Sequence, residues 1–288
     1  MRVAVKCLNS VNQGGKEFLV EVKTIGSVHH INLVRLIGYC AERSHRLLVY
    51  EYMSNGSLDK WIFNKNQYVS LDWKTRQKII TNIAKGLSYL HEECRQKIAH
   101  LDIKPQNILL DEEFNAKVSD FGLAKLLDRN QSQVMTRMRG TPGYLAPEWL
   151  TSRITEKADV YSFGVVVMEI VCGRRNLDFS HPEELAHLIS LLKNKAEANR
   201  LLDIVDSRIS DMHLHGKEAV EMLKLSMWCL QSDSNNRPSM SVVLKVLDGS
   251  IEVESRIDYN FTALPVSKNA YNLGASVSPK ASILSGPR

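Results

Sequence analysis

The stretch "ADVYSFGVVVMEIVCG" (Ala158–Gly173) is apolar almost all round a helix. Such a helix belongs in the interior of a protein, and its longest apolar run, "FGVVVM" (Phe163–Met168), is far too short to span a bilayer. Burying it on every side takes a sizeable helical unit, and the chain supplies one. From Leu71 onward helical patterns dominate. "LDWKTRQKIITNIAKGLSYLHEE" places Trp73, Ile79, Ile80, Ile83, Leu87 and Leu90 on one broad stripe, with Asp72 as N-cap. Gly173 is the expected stop of the buried helix, and further helices are expected at about 183–193, 216–231 and 239–247.

The first 53 residues read differently. "RVAVKCL", "LVRLIGYC" and "HRLLVYEYM" are apolar strands, and the turn-like "SNGS" follows the last. Between the first two, "GKEFLVEVKTIGSV" sets Phe18, Val22 and Ile25 at spacings of four and three, a helix face. The expected organisation is α+β and bilobal: a small strand-rich unit over 1–53, then a mainly helical unit over 54–250. After about Glu252 the text turns rich in Ser, Asn, Gly and Pro, so residues 251–288 are expected to form a disordered tail.

Several function classes are excluded by what is missing. The net charge is a mild +5, and no Lys/Arg block with interleaved aromatics occurs, which speaks against nucleic acid. Five cysteines, an odd number without a C-x-x-C pair, suit neither a zinc site nor a disulfide framework and read as free thiols in a reducing compartment. The opening "MRVAVKCLNS" has no signal-peptide core, and the chain reads as soluble with no membrane segment.

Chemistry concentrates in "AHLDIKPQNILLDEEFNAKVSDFGLAK" (Ala99–Lys125), where Asp102, Asn107 and Asp120 stand between short apolar runs. Phosphoryl transfer from ATP needs positioning and charge neutralisation more than covalent chemistry. One carboxylate must accept the proton of the attacking hydroxyl. A second carboxylate and an amide can hold magnesium, which takes few protein oxygens. A lysine must steady the phosphates, and a glutamate must hold that lysine. The parts occur in order: Lys6 in "VAVK", Glu21 fifteen residues later, Asp102 and Asn107 in "HLDIKPQN", Asp120 in "DFG", and "APE" at Ala146–Glu148. On these motifs the chain resembles the eukaryotic protein kinases over roughly residues 3–250. "NLVRLIGYC", "GLSYLHEEC" and "GTPGYLAPEWLTSRITEKADVYSFGVVVMEIVCGRRN" narrow the likeness to plant receptor-like kinases, most similar to the G-type lectin S-receptor-like serine/threonine kinases.

The resemblance implies an enzyme that moves the γ-phosphate of ATP, with Mg2+, onto Ser or Thr hydroxyls of protein substrates. It implies a place on the cytoplasmic side of a single-pass plasma-membrane parent. It assigns Asp102 as catalytic base and Lys104 to the transferring phosphate. Asn107 and Asp120 would bind the metal. Lys6, Glu21, Glu51, Met53 and Asp120 would belong to the ATP site, with Tyr50 behind the adenine and Glu51–Met53 as the hinge. Thr141 would lie in a peptide-positioning loop near Asp102 and Lys104. Glu148 would pair with Arg237, and Ile25, Leu36, His100 and Phe121 would form an apolar column anchored by Asp159.

Blander readings stand beside these. Lys6 and Glu21 by themselves suit a surface ion pair. Adjacent His29 and His30 lack a carboxylate at ligand spacing and suit no metal. His100 is read as a packing residue. Lys125, Arg129, Arg137 and Arg139 are read as solvated. Two departures from the family pattern matter. Leu101 stands where many kinases have arginine, so a switch that pairs that arginine with a phosphorylated loop is not expected. The sequence also opens three residues before "AVK", where kinases carry two earlier strands and a glycine-rich loop over the phosphates. On that text the expectation is a small lobe short of both, with an unpaired sheet edge. The alternative function is then a kinase-fold interaction module with negligible activity.

Overall fold

The computed structural model describes residues 2–8, 13–26, 28–43, 45–63, 70–127, 134–135, 140–151, 153–180, 186–253, 257, 261 and 282–284. The small unit is an antiparallel sheet with one helix. Strand β1 (Val3–Cys7) pairs with β3 (His45–Glu51), and β3 pairs with β2 (Leu36–Glu42), with a register shift between Leu36 and Gly38. Helix α1 (Gln13–Ile25) lies against β3, with Phe18 and Ile25 buried and Leu19, on the other side, exposed. Phe18 joins Leu8 and Leu48 in a core of its own, with Val22 and Tyr50 packed on it.

The large unit is built around α4 (Lys157–Cys172), as the sequence demands. All its residues from Ala158 to Cys172 are buried, and Gly173 ends it in the left-handed conformation (φ 64°) with its N–H on Glu169 O. Helix Met212–Cys229 packs on α4 so closely that Gly164 matters: a Cβ there would stand 2.8 Å from Cys229 Cβ. Ser226 Oγ donates to Gly164 O at 2.9 Å across the same contact. Helix α3 (Trp73–Ser88) is capped by Asp72, which accepts from Thr75 N at 2.7 Å, and runs into a π turn over Tyr89–Glu93. Its expected stripe is fully buried. Helices Leu188–Glu197 and Met240–Leu247 complete this layer, the latter capped by Ser239.

Strand β4 (Gly56–Ser57) and the short helix α2 (Asp59–Ile62) precede α3, and further short strands carry the segment between α3 and α4: β5 (Lys97–Ala99), β6 (Ile108–Leu110), β7 (Ala116–Val118) and β8 (Lys125–Leu127). β4, β6 and β7 make one sheet, and β5 with β8 another. The loop after α1 is stitched to β7. Val118 N donates to Asn32 O at 2.9 Å, Val34 N donates to Val118 O at 2.9 Å, and Asn32 Nδ2 donates to Ala116 O at 3.0 Å. Gly86 of α3 permits this approach, since a Cβ there would stand 2.9 Å from Asn32 O.

Two expectations about the ends of the chain are corrected. The outer edge of β1 is paired: Val3, Ala4 and Val5 face Leu284, Ile283 and Ser282 antiparallel. The expected disordered tail also contributes Phe261, buried in the main core, with Ile257 and Val253 packed against it. Composition missed both because a sheet edge accepts any backbone, and a single docked aromatic leaves little mark in polar text. Arg129, Arg137 and Arg139 lie outside the described residues.

Candidate active site

The site lies where the short strands of the large unit meet the sheet of the small one. Its foundation is Asp159 on α4. Its carboxylate accepts from the backbone N–H groups of both His100 and Leu101, each at 2.7 Å, and sits 2.9 Å from His91 Nε2. These bonds hold Leu101 at φ 66°, a region that costs a branched side chain about 1–3 kcal/mol. Leu101 therefore does structural work that needs no charge. The strained turn delivers the next residue, Asp102, into the cleft.

Asp102 is fully engaged. Its Oδ1 accepts from Thr141 Oγ1 at 2.8 Å, and its Oδ2 takes Lys104 Nζ at 2.8 Å and Asn107 Nδ2 at 2.9 Å. Asn107 also donates to Asp102 O at 2.9 Å. With both amide protons turned inward, Asn107 keeps its side-chain oxygen for another ligand. Lys104 bridges outward, with Nζ 2.8 Å from Thr141 Oγ1.

Asp120 enters from the segment after β7. Ser119 bonds twice to Asn107 O, through N and Oγ, both at 2.9 Å, which fixes Asp120 beside Asn107. Asp120 itself sits at φ 65°. Its Oδ1 accepts from Lys6 Nζ at 2.7 Å, and the same ammonium reaches Glu21 Oε2 at 3.0 Å. Glu21 is only 1% exposed, so its pair with Lys6 is not a surface one. Glu21 Oε1 accepts from Tyr50 OH in a very short bond and from Phe121 N at 3.3 Å. Burial opposes charge on Lys6, but the carboxylates of Asp120 and Glu21 outweigh it and hold the ammonium's pKa above its ordinary value. Burial would likewise raise Asp120, yet Lys6 draws it below the usual carboxylate range.

The donor set bears on a metal. Among the described residues no group of three or more His, Cys, Asp or Glu is gathered for an ion. One partly exposed carboxylate beside one amide oxygen suits instead a hard cation that keeps waters and takes its remaining ligands from phosphates. His29 and His30 make no such site: His30 stacks on Tyr89 at 4.8 Å, and its Nδ1 accepts from Asn32 N at 3.1 Å.

Of the expected column, one contact stands out. His100 and Phe121 meet edge to face at 4.7 Å, Ile25 and Phe121 are buried together, and Leu36 packs on that core. Both nitrogens of His100 face backbone groups, Nε2 toward Ser119 O at 3.0 Å and Nδ1 toward Asp102 N at 3.3 Å, which is packing rather than catalysis. Glu148 and Arg237 form a two-pronged pair at 2.7 and 2.8 Å. In the segment expected to form the hinge, Met53 is buried, while the Glu51 side chain turns aside to Lys117 at 2.7 Å and Arg35 N at 2.7 Å. Any role of Glu51 toward a nucleotide is thereby left to its backbone.

Two features escaped the sequence reading. One is the hydroxyl of Tyr50, which positions Glu21. The other is Tyr144, whose OH lies 3.0 and 2.9 Å from the two oxygens of Glu169 on α4. Complete burial pushes the Glu169 carboxyl up to about 8. The one signal for both was a charged residue in an apolar helix face with a tyrosine elsewhere.

The protein kinase domain model matches residues 1–246. A G-type lectin S-receptor-like serine/threonine-protein kinase of Arabidopsis thaliana, SD2-5, is 53% identical over 254 residues, covering 88% of this chain and 31% of that protein. SD2-2 of the same plant is 46% identical over 261 residues, covering 87% and 32%. LECRK2 of Oryza sativa subsp. japonica, of the same description, is 44% identical over 258 residues, covering 89% and 31%. The chain thus spans about a third of the length of these relatives. In its motifs, its two-lobed α+β fold and its likeness to these enzymes, the chain belongs to the protein kinase domain family.

Proposed function

We propose that the chain transfers the γ-phosphate of ATP to serine and threonine hydroxyls of proteins. One observation carries the reading: the Asp102 carboxylate already accepts a hydrogen bond from an alcohol, Thr141 Oγ1, at 2.8 Å, with Lys104 Nζ 2.8 Å from both groups. A substrate serine or threonine hydroxyl presented in the same way gives its proton to Asp102 as its oxygen bonds to the γ-phosphorus. The bond from that phosphorus to the bridging oxygen breaks, and ADP leaves. Lys104 meets the charge on the transferring group. Lys6, held by Glu21, steadies the phosphates that stay behind. Magnesium, when held by Asn107 and Asp120, supplies neutralisation of phosphate charge.

The relatives are named receptor-like, and no helix of the described residues is long and apolar enough to cross a membrane. A working place on the cytoplasmic side, where ATP is abundant, suits the site. The test incubates the full chain with labelled ATP, magnesium and peptides that offer serine, threonine or tyrosine. Phosphoserine and phosphothreonine are expected. A predominance of phosphotyrosine overturns the specificity, and absence of transfer to any peptide overturns the activity in favour of the interaction-module alternative.

A further inference from the structure

We propose that Asn176 is a positioning residue for the acceptor peptide: it clamps the turn that carries Thr141 to Asp102, and so sets where the substrate chain lies. This deepens the kinase reading above and rests on it. The turn is Thr141-Pro142-Gly143-Tyr144, closed by Tyr144 N donating to Thr141 O at 3.1 Å. Proline second and glycine third, with Gly143 at φ 90°, is the pattern of a type II turn, whose third residue needs φ near about +80°. A peptide bond in such a turn can flip unless something outside holds its carbonyls.

Asn176 does so at the middle of the turn. It follows α4 in "GRRN", is 1% exposed, and has a partner for each of its four polar groups. Its Nδ2 donates to Gly143 O at 2.6 Å. Its backbone N donates to Glu169 Oε1 at 2.7 Å, the carboxyl that also meets Tyr144 OH. Its O accepts from Leu188 N at 2.9 Å, and its Oδ1 from Ile189 N at 3.3 Å. Leu177, the next residue, closes the space beside Gly143, where a Cβ would stand 2.9 Å from Leu177 Cδ1. The turn is thus tied at three successive points: Thr141 to Asp102, Gly143 to Asn176, and Tyr144 to Glu169. The first tie is catalytic. The second and third reach α4 and the start of helix Leu188–Glu197, so the catalytic aspartate and the peptide-bearing turn share one rigid foundation.

The hydrogen bonds of Asn176 go to Glu169, Gly143, Leu188 and Ile189, not to Lys6, Asp120 or the hinge. A role in peptide placement and a role in general stability therefore predict different kinetics. The experiment compares Asn176→Asp, which keeps the size but faces Gly143 O with an acceptor, with Asn176→Ala in the full chain. Expected is a rise of about tenfold or more in KM for a serine peptide, with KM for ATP within about twofold of the parent. Hydrogen exchange across residues 143–146 is expected to quicken, while exchange across 102–107 stays as in the parent. An unchanged peptide KM overturns the proposal. So does a joint rise of both KM values with a lowered Tm, which marks a merely structural residue. If the parent chain phosphorylates no peptide, the kinase reading falls, and the exchange data still decide the clamp: faster exchange at 143–146 supports it, and unchanged exchange overturns it.

Discussion

Asp102 and Asp120 stand close together, yet they are assembled in different ways. The side-chain partners of Asp102 — Lys104, Asn107 and Thr141 — all come from the large lobe, and the backbone that presents it hangs from Asp159 on the buried helix α4. Asp120 takes its principal partner, Lys6, from 114 residues away in the other lobe. Glu21 is shared in the same sense, accepting from Lys6 and Tyr50 on one side and from Phe121 N on the other. On the proposed reading, the proton-accepting half of the site rests on contacts within the large lobe alone, and the phosphate-holding half on contacts between the two lobes. Chemistry and nucleotide affinity should then fail separately.

The largest effect belongs to the first half. Asp102→Asn removes the proton acceptor, and general-base groups contribute typically about 10²–10⁴-fold. Turnover should drop about a thousandfold or more while KM for ATP and Tm stay near parental values. If nucleotide affinity falls equally, the two halves are one unit and the contrast is broken. Asp120→Asn should do the reverse. It removes the charge that Lys6 and a metal share, and hydrogen bonds to charged groups are worth about 1.5–3 kcal/mol. Magnesium-dependent ATP binding, read by calorimetry, should weaken roughly ten- to a hundredfold, with little change in binding of a serine peptide.

A smaller change sharpens the point. Tyr50→Phe leaves every charge in place and deletes only the hydroxyl that holds Glu21. KM for ATP should rise about fivefold, the worth of one ordinary hydrogen bond. KM for peptide should not move. A last effect lies on the preassembled side and is read in stability rather than in kinetics. The Glu169 carboxyl, raised by burial from an ordinary 4.5 to about 8, binds its proton more tightly in the folded chain than in the unfolded one. Its contribution is therefore present in full below about 4.5 and lost as pH climbs toward about 8. Tm should drift downward across that interval, and Glu169→Gln should flatten the drift. A slope unchanged in Glu169→Gln would mean that another group titrates.

Much of this was legible in the text, for reasons that differ by region. Helix α4 was readable because nothing but an interior position suits its sequence, and α1 because Phe18, Val22 and Ile25 repeat at helical spacing. The reactive side chains were readable because phosphate chemistry demands few residue types, and "HLDIKPQN" and "DFG" offer them at short range. Strands β5 to β8 are three residues long, too short for alternation to show. The bonds of Tyr50 to Glu21 and of Asn176 to Gly143 join residues 29 and 33 apart on different elements. No local pattern encodes such a meeting. Glu51 was hard to read for another reason: Lys117 and Arg35 N, both distant in the text, decide where its carboxylate points.

The stitching of Asn32 and Val34 to β7 has a mechanical consequence. It ties the chain seven residues past the end of α1 to the large lobe, so a movement of α1 against that tie would pivot near the buried Ile25. Glu21 lies four residues from that pivot, about 6 Å along the axis, and Gln13 twelve residues, about 18 Å. A load on the far end arrives at Glu21 with about a third of the travel and about three times the force. A surface or loop that leans on the first turn of α1 by several ångströms would move Glu21 by one or two, enough to make or break its 3.0 Å bond to Lys6. By that geometry a coarse motion at the far end of α1 would reach the ammonium as a fine adjustment.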